Sequence, residues 1–162
     1  MTTIHDPKVQ EILNGRRIAT MATHNGDGSV HLTAVWYLLD QASLYVETSS
    51  QSRKGRNLKE RPRASLMVDV RQPGRERGVS ISGAVEVVSG AQANDIKLRV
   101  HRRYMSEAAV QDPNLGRKLA AMDDLTIRLR PERVFAWDLT ELDKAFFGGR
   151  FGAPGAVLAL DV

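Results

Sequence analysis

Thr48-Ser49-Ser50-Gln51-Ser52-Arg53-Lys54-Gly55-Arg56-Asn57-Leu58-Lys59-Glu60-Arg61-Pro62 is the stretch on which the reading of this chain turns. It follows the alternating run Leu44-Tyr45-Val46-Glu47, so a strand leaves through a hydroxyl-rich turn into a short helix that Pro62 stops. Such a helix entrance suits an anion. Its first backbone N–H groups lack intrahelical partners, the helix dipole is positive there, and Ser50, Ser52, Arg53 and Lys54 add donors and charge. A phosphate meets those needs. The same residues also fit an ordinary purpose, Ser50 or Ser52 capping a solvated surface helix, and the short motif alone does not separate the two.

Composition limits what the phosphate belongs to. A chain of 162 residues is about one domain, expected to span 1–162 with a Gly-rich tail at 148–162, and long enough to bury a core without metal or disulfide support. The absence of cysteine removes disulfides, thiolate nucleophiles and zinc-thiolate or iron–sulfur sites together. No apolar run approaches membrane-spanning length and no leader pattern opens the chain, so a cytoplasmic protein with no membrane partner is expected. The net charge of +4 favours anionic partners: nucleic acid, an acidic membrane surface or a phosphorylated small molecule.

The local pattern supplies a succession of strands. Asp6-Pro7 opens a helix with Val9, Ile12 and Leu13 on one face, closed by Gly15. Arg17 to Thr23 alternates into a strand, Asn25-Gly26-Asp27-Gly28 makes a tight turn, and a second strand runs from Val30 to Leu39. Both faces of that second strand are apolar, which predicts a place between two packed layers. Asp40 to Ala42 turns into the strand Ser43 to Thr48. After Pro62, strands are predicted at Ala64–Val70 and Val79–Val88, where Gly83 marks a bulge, a corner, a close approach of ligand or a simple bend. Helices follow at Gln92–Glu107 and from Asp112-Pro113. Two last strands, Leu125–Arg130 and Arg133–Leu139, are expected on either side of a Pro131-Glu132 turn. Six or seven antiparallel strands with short turns and flanking helices define a mainly β (α+β) chain, a closed or nearly closed barrel. A barrel of this size fills its own interior, so a cofactor belongs on its outside, completed there by a second subunit.

The ordered set His31-Leu32-Thr33-Ala34-Val35-Trp36-Tyr37, Glu47-Thr48, Ser52-Arg53-Lys54-Gly55-Arg56-Asn57-Leu58, Arg61-Pro62-Arg63-Ala64-Ser65-Leu66 and Arg128-Leu129-Arg130-Pro131-Glu132-Arg133-Val134-Phe135-Ala136-Trp137 resembles the flavin/deazaflavin oxidoreductase superfamily. This is the split β-barrel group that includes pyridoxamine 5'-phosphate oxidase. The resemblance implies a homodimer with cofactor sites at the interface. Thr48, Ser52, Arg53 and Lys54 match the phosphate-binding turn of the oxidases. Leu32 and Tyr37, however, stand where the oxidases carry an Arg and a Lys, and no Arg-x-His follows Trp137, so the resemblance does not extend to pyridoxamine phosphate oxidation. The remaining pattern is similar to the actinobacterial branch that uses the deazaflavin coenzyme F420, with flavin mononucleotide (FMN) as the alternative.

The chemistry needs a held phosphate, an apolar ring with its polar edge paired, and one ring face open to substrate. The expected cofactor-binding set is Val35, Trp36, Thr48, Ser50, Ser52, Arg53, Lys54 and Asn57. Arg56, Lys59 and Arg61 are placed to meet the anionic glutamyl tail of F420, or form a solvated helix face. The expected activity is hydride transfer between the deazaflavin and a small electron-poor substrate, with a cofactor-binding protein that performs no turnover as the other class. No catalytic residue is assigned, since Tyr37 and His31, the candidate proton donors, suit packing roles better. Metal binding is not expected from His5, His24, His31 and His101, which lie apart. Basic residues at Arg71–Arg77 and at Arg99, Arg102 and Arg103 lack interleaved aromatics, so nucleic acid is not the expected partner.

Overall fold

The computed structural model describes residues 2–122 and 124–159. Its elements are α1 (Pro7–Asn14), β1 (Ala19–His24), β2 (Val30–Val35), β3 (Leu38–Asp40), β4 (Ser43–Ser49), α2 (Arg53–Glu60), β5 (Arg63–Val70), β6 (Arg77–Val88), α3 (Gly90–Tyr104), α4 (Glu107–Gln111), α5 (Gly116–Ala121), β7 (Asp124–Asp138) and α6 (Leu139–Phe147). The seven strands form one antiparallel sheet in the order β2-β1-β5-β6-β7-β4-β3. The α+β split-barrel expectation is met. Among the described residues no helix is long and apolar enough to cross a membrane.

The curl of the sheet follows from its connectivity. β2 and β3 are its two outer strands, yet only Trp36 and Tyr37 separate them in the chain. Three Cα steps from Val35 to Leu38 span at most about 11 Å, so the two edges must meet at that corner. The expected continuous strand Val30–Leu39 is therefore corrected to two strands with a break. Its expected place between two layers is corrected as well: Val30 is 52% exposed and Leu32 62%, because β2 is an outer strand paired only with β1.

The corner is locked by groups distant in sequence. Tyr37 is fully buried, and its hydroxyl donates to the carbonyl of Leu13 at 2.8 Å. The Arg103 guanidinium donates to the carbonyls of Leu13, Asn14 and Gly15, placing a cation at the negative end of α1. It also lies over the Tyr37 ring at 5.1 Å. The Tyr104 hydroxyl donates to the Arg17 carbonyl at 2.7 Å and accepts from the Tyr37 N–H at 3.3 Å.

Two apolar clusters follow. The larger fills the barrel with Met21, Leu44, Val46, Leu66, Val68, Ile81, Ile127 and Leu129, and includes Val9, Ile12 and Leu13 of α1. The smaller lies on the other side of β4, where Leu38 and Tyr45 pack with Ile96 and Val100 of α3. β4 is thus covered on both faces, Leu44 and Val46 inward and Tyr45 outward under α3.

Other boundaries differ from expectation for local reasons. The expected Pro131-Glu132 turn is replaced by the continuous strand β7, whose register against β6 shifts between Ser82 and Gly83. Glu132 is the extra residue of this bulge. Pro131 has no N–H to offer a ladder, which a bulge tolerates, and beside it Glu132 Oε1 accepts the Ala84 N–H at 3.1 Å. The helix expected over Gln92–Glu107 stops at Tyr104, since Ser106 caps α4 by accepting from the Ala109 N–H. The Asp112 carboxylate holds a turn through the N–H groups of Asn114 and Leu115, so the next helix begins at Gly116, later than expected. The helix α6 was not foreseen; Asp138 caps it and Gly148 ends it in the left-handed conformation.

A Cβ at Gly83 would meet the Arg130 carbonyl oxygen at 1.8 Å. Gly83→Ala is therefore expected to lower stability by about 3 kcal/mol, read from urea unfolding; an unchanged midpoint would contradict the tight bulge. Burial pushes the Tyr37 phenol up to about 12, against the pull of Arg103. The native state then keeps a proton that the unfolded chain loses above its ordinary value of 10.0, so this group's stabilisation is full below that value and withdrawn as pH rises through it. Spectrophotometric titration should find one late-ionising tyrosine that Tyr37→Phe removes.

Candidate functional site

Ser52 and Gly55 shape the entrance of α2. The Ser52 hydroxyl accepts from the Gly55 N–H at 3.0 Å, donates to the Ser49 carbonyl at 2.7 Å, and sits 3.0 Å from Thr48 Oγ1. With its one proton spent on Ser49, Ser52 accepts from Thr48. Thr48 and Ser52 thus build the turn. Gly55 is needed because a Cβ there would lie 2.3 Å from the Ser49 carbonyl oxygen. The N–H groups of Arg53 and Lys54 find no acceptor among the described residues, and they are the donors left for an anion.

Asn57 is buried and donates to Thr23 Oγ1 and Asn25 Oδ1, both at 3.0 Å. It ties α2 to the β1–β2 hairpin and so fixes where the helix entrance points. Arg53 is exposed near Asp27 of the hairpin turn, whose carboxyl is held below its ordinary range chiefly by Ser29, with a smaller contribution from Arg53. Arg56 is bonded back to the Gln51 carbonyl and Arg61 to Glu60.

A cleft of about 280 Å³ opens outside the barrel, lined chiefly by Val35, Trp36, Glu47, Lys54, Val100 and His101. It brings together three expected site residues, Val35, Trp36 and Lys54, from the corner and from α2. Ser50 is not among them. It lines a second, more apolar cleft with Leu58, Lys59, Val87 and Leu125. Trp36 stacks on Tyr104 with ring centroids 5.0 Å apart and planes 5° from parallel, which gives the cleft a rigid aromatic wall. Tyr37 points into the protein, so its hydroxyl serves the corner.

Glu47 and His101 are the residues that sequence reasoning left out of the site. Glu47 Oε2 accepts from Thr126 Oγ1 at 3.0 Å, while Oε1 is buried with no partner among the described residues. Burial raises the Glu47 carboxyl above its ordinary 4.5; the Thr126 bond and Lys97 oppose this and Asp124 adds to it. Burial holds the His101 imidazole below its ordinary 6.5, aided by Lys97 and opposed by Asp124. Lys97 itself is occupied. It pairs with Asp124 at 3.0 Å, both side chains largely buried, and donates to the carbonyls of Ala120 and Met122. The sequence signal was a Glu two residues beyond buried Tyr45, on the face that α3 covers.

Several other basic residues pair within the chain. Arg71 pairs with Asp69, Arg77 with Glu11, Arg99 with Asp40 and Asp95, and Arg102 with Glu107.

A seven-stranded antiparallel sheet curled on itself, with an aromatic-walled cleft on its outside beside the entrance of α2, defines a split-barrel fold. The chain belongs to the pyridoxamine 5'-phosphate oxidase family, whose pattern matches residues 5–138. That family binds flavin or deazaflavin cofactors. Among solved structures, a conserved hypothetical protein of Mycobacterium tuberculosis is similar over 100% of this chain and 93% of its own, at 26% identity and a TM-score of 0.72. An F420 reductase shares the fold at 22% identity and a TM-score of 0.62, over 78% of this chain and 94% of its own. The heme storage protein HutZ of Vibrio cholerae shares it at 18% identity and a TM-score of 0.64, over 83% and 94%.

The two displaced titrations act on stability with opposite signs. Native Glu47 holds a proton where the unfolded chain has released it, so its contribution is full below pH 4.5 and withdrawn as pH rises through the raised value. His101 contributes fully above pH 6.5 and loses its contribution as pH falls through the lowered value. Glu47→Gln is expected to raise the melting temperature at neutral pH and flatten its decline from acid to neutral, as thermal melts across that range would register.

Proposed function

We propose that this protein binds coenzyme F420 in the cleft beside α2 and transfers a hydride between it and a small electron-poor substrate. The observation that carries the reading is the convergence of Lys54 and Trp36 on one cleft outside the barrel. The residues fit such a group. The Lys54 ammonium and the free N–H groups of Arg53 and Lys54 suit its phosphate, and Trp36, backed by Tyr104, suits an apolar ring. When bound, the deazaflavin supplies the hydride. Lys54 and the α2 entrance hold the anionic end, Trp36 and Val35 fix the plane of the ring, and Val100 of α3 keeps water from one side. FMN in the same place is the second reading, and a protein that holds either cofactor without turnover is the third.

A cleft of about 280 Å³ lies just under the ~300 Å³ at which pockets begin to enclose a whole small ligand. The proposal therefore includes a homodimer in which a second copy closes the site. Exposed Val30 and Leu32 on β2, with Phe135 at 67%, supply apolar surface for it.

The test is a parallel fluorescence titration of the purified chain with F420 and with FMN, then with Lys54→Ala. Tighter binding of F420 and a loss of about 10- to 100-fold on Lys54→Ala are expected. A preference for FMN would move the protein to the second reading. Equal affinity in Lys54→Ala would place the phosphate elsewhere.

A further inference from the structure

Glu47 and His101 are polar groups of the cleft that anchoring a phosphate and stacking a ring leave without a task, and of the two it is Glu47 that has a buried side-chain atom without a partner among the described residues. It extends from β4 on the same face as Tyr45, beneath α3, and lines the cleft with Trp36, Lys54 and His101. Its two oxygens are unequal. Oε2 takes the Thr126 hydroxyl at 3.0 Å, and Oε1 is shut off from solvent with no partner among the described residues. Buried polar atoms in folded chains are almost always bonded, so an orphan atom on a side chain that lines this cleft is where a ligand atom belongs.

We propose that Glu47 reads the polar edge of the ligand, its Oε1 hydroxyl donating a hydrogen bond to a carbonyl oxygen or unprotonated ring nitrogen of a planar heterocycle lying against Trp36. This rests on the cofactor reading of the cleft. The choice of a donating carboxylic acid over an accepting carboxylate comes from the groups facing Glu47. From β7, Thr126 donates to one oxygen and Asp124 adds a like charge. From α3, Lys97 is spent on Asp124 and on two carbonyls, and burial disfavours the charged form of His101. From α2, Lys54 forms no ion pair with Glu47 among the described residues. Trp36 at the corner carries no charge. Burial therefore prevails and favours the protonated carboxyl.

A carboxylic acid that donates to the ligand makes affinity fall as pH rises. The experiment titrates the full-length chain, Glu47→Gln and Glu47→Ala with F420 and with FMN across mildly acidic to mildly alkaline pH. Ionisations of the ligand are common to all three proteins, so the difference between the wild-type and Glu47→Gln profiles isolates Glu47. Wild type is expected to weaken relative to Glu47→Gln by up to about tenfold per pH unit once Glu47 ionises. Glu47→Gln keeps an N–H donor and should stay within about threefold of wild type at low pH, whereas Glu47→Ala should bind about tenfold more weakly than Glu47→Gln at every pH. Infrared difference spectra supply a direct readout. A protonated Glu47 carbonyl band, absent from Glu47→Gln, should appear in the free protein and shift when either cofactor binds. Parallel wild-type and Glu47→Gln profiles, an ionised Glu47 in the free protein, or a folded Glu47→Ala with wild-type affinity would each overturn the role of Glu47 alone. Failure of wild type to bind either cofactor would overturn the cofactor reading, and this inference with it.

Discussion

The bond from the Tyr37 hydroxyl to the Leu13 carbonyl, 2.8 Å long, fixes the corner at which the sheet closes. A buried phenol needs an acceptor, and the Leu13 carbonyl serves both the Tyr37 hydroxyl and the Arg103 guanidinium. Arg103 reinforces the corner by covering the remaining carbonyls of α1, and Tyr104 holds the main chain of Tyr37 itself. The same arrangement turns Trp36 outward, because a buried Tyr37 and an outward Trp36 are adjacent residues on opposite sides of one bend. Barrel closure and the aromatic wall of the cleft are one structural event.

The cleft concentrates groups that would be better solvated elsewhere. Lys97 and Asp124 are buried as a pair, an arrangement whose desolvation offsets much of its attraction. Glu47 leaves an oxygen unbonded beside them. Such features persist when the surrounding packing over-determines them, here Ile96 and Val100 of α3 against Tyr45 and Leu38. The barrel interior, by contrast, is filled mainly by aliphatic side chains such as Leu44, Val46, Leu66, Val68, Ile81 and Ile127. Arg103 Nε and Glu76 Oε2 are also buried without a partner among the described residues, so the outer cleft is one of several places where such tension is held.

Much of this was legible from residue order. The Asn25–Gly28 turn, the β4–α2 connection and the Gly83 irregularity each have a local cause: left-handed Gly28 with φ of 86°, the Ser52 cap, and a carbonyl too close for any Cβ. Other features depended on remote groups. The alternation Val30–Leu39 runs unbroken through Trp36-Tyr37, and nothing local marks the break that Leu13, Arg103 and Tyr104 impose. Pro131 read as a turn because proline interrupts ladders, but the strand passes it at a one-residue bulge. Ser50 and Lys54 looked equivalent on the linear motif, and the helix turned them into different clefts. Glu47 was invisible as a site residue because its cover comes from a helix more than forty positions later. The helix α6 was a missed local signal, with Asp138 at its start, Glu141 in its first turn and Gly148 at its end.

The segment α3–α5 enters the chain between β6 and β7, two strands that pair directly along their whole length. An insertion of that kind can be lengthened, shortened or exchanged during evolution while the register of the sheet stays as it is. In this protein the exchange is restrained. Val100 and His101 face the cleft, but Arg103 and Tyr104, within one helical turn, fasten the corner that closes the barrel. Substitution on the cleft side of a retained helix is therefore easier than replacing the helix outright, and descendants of this chain should differ in the lining of that cleft long before they differ in how they fold.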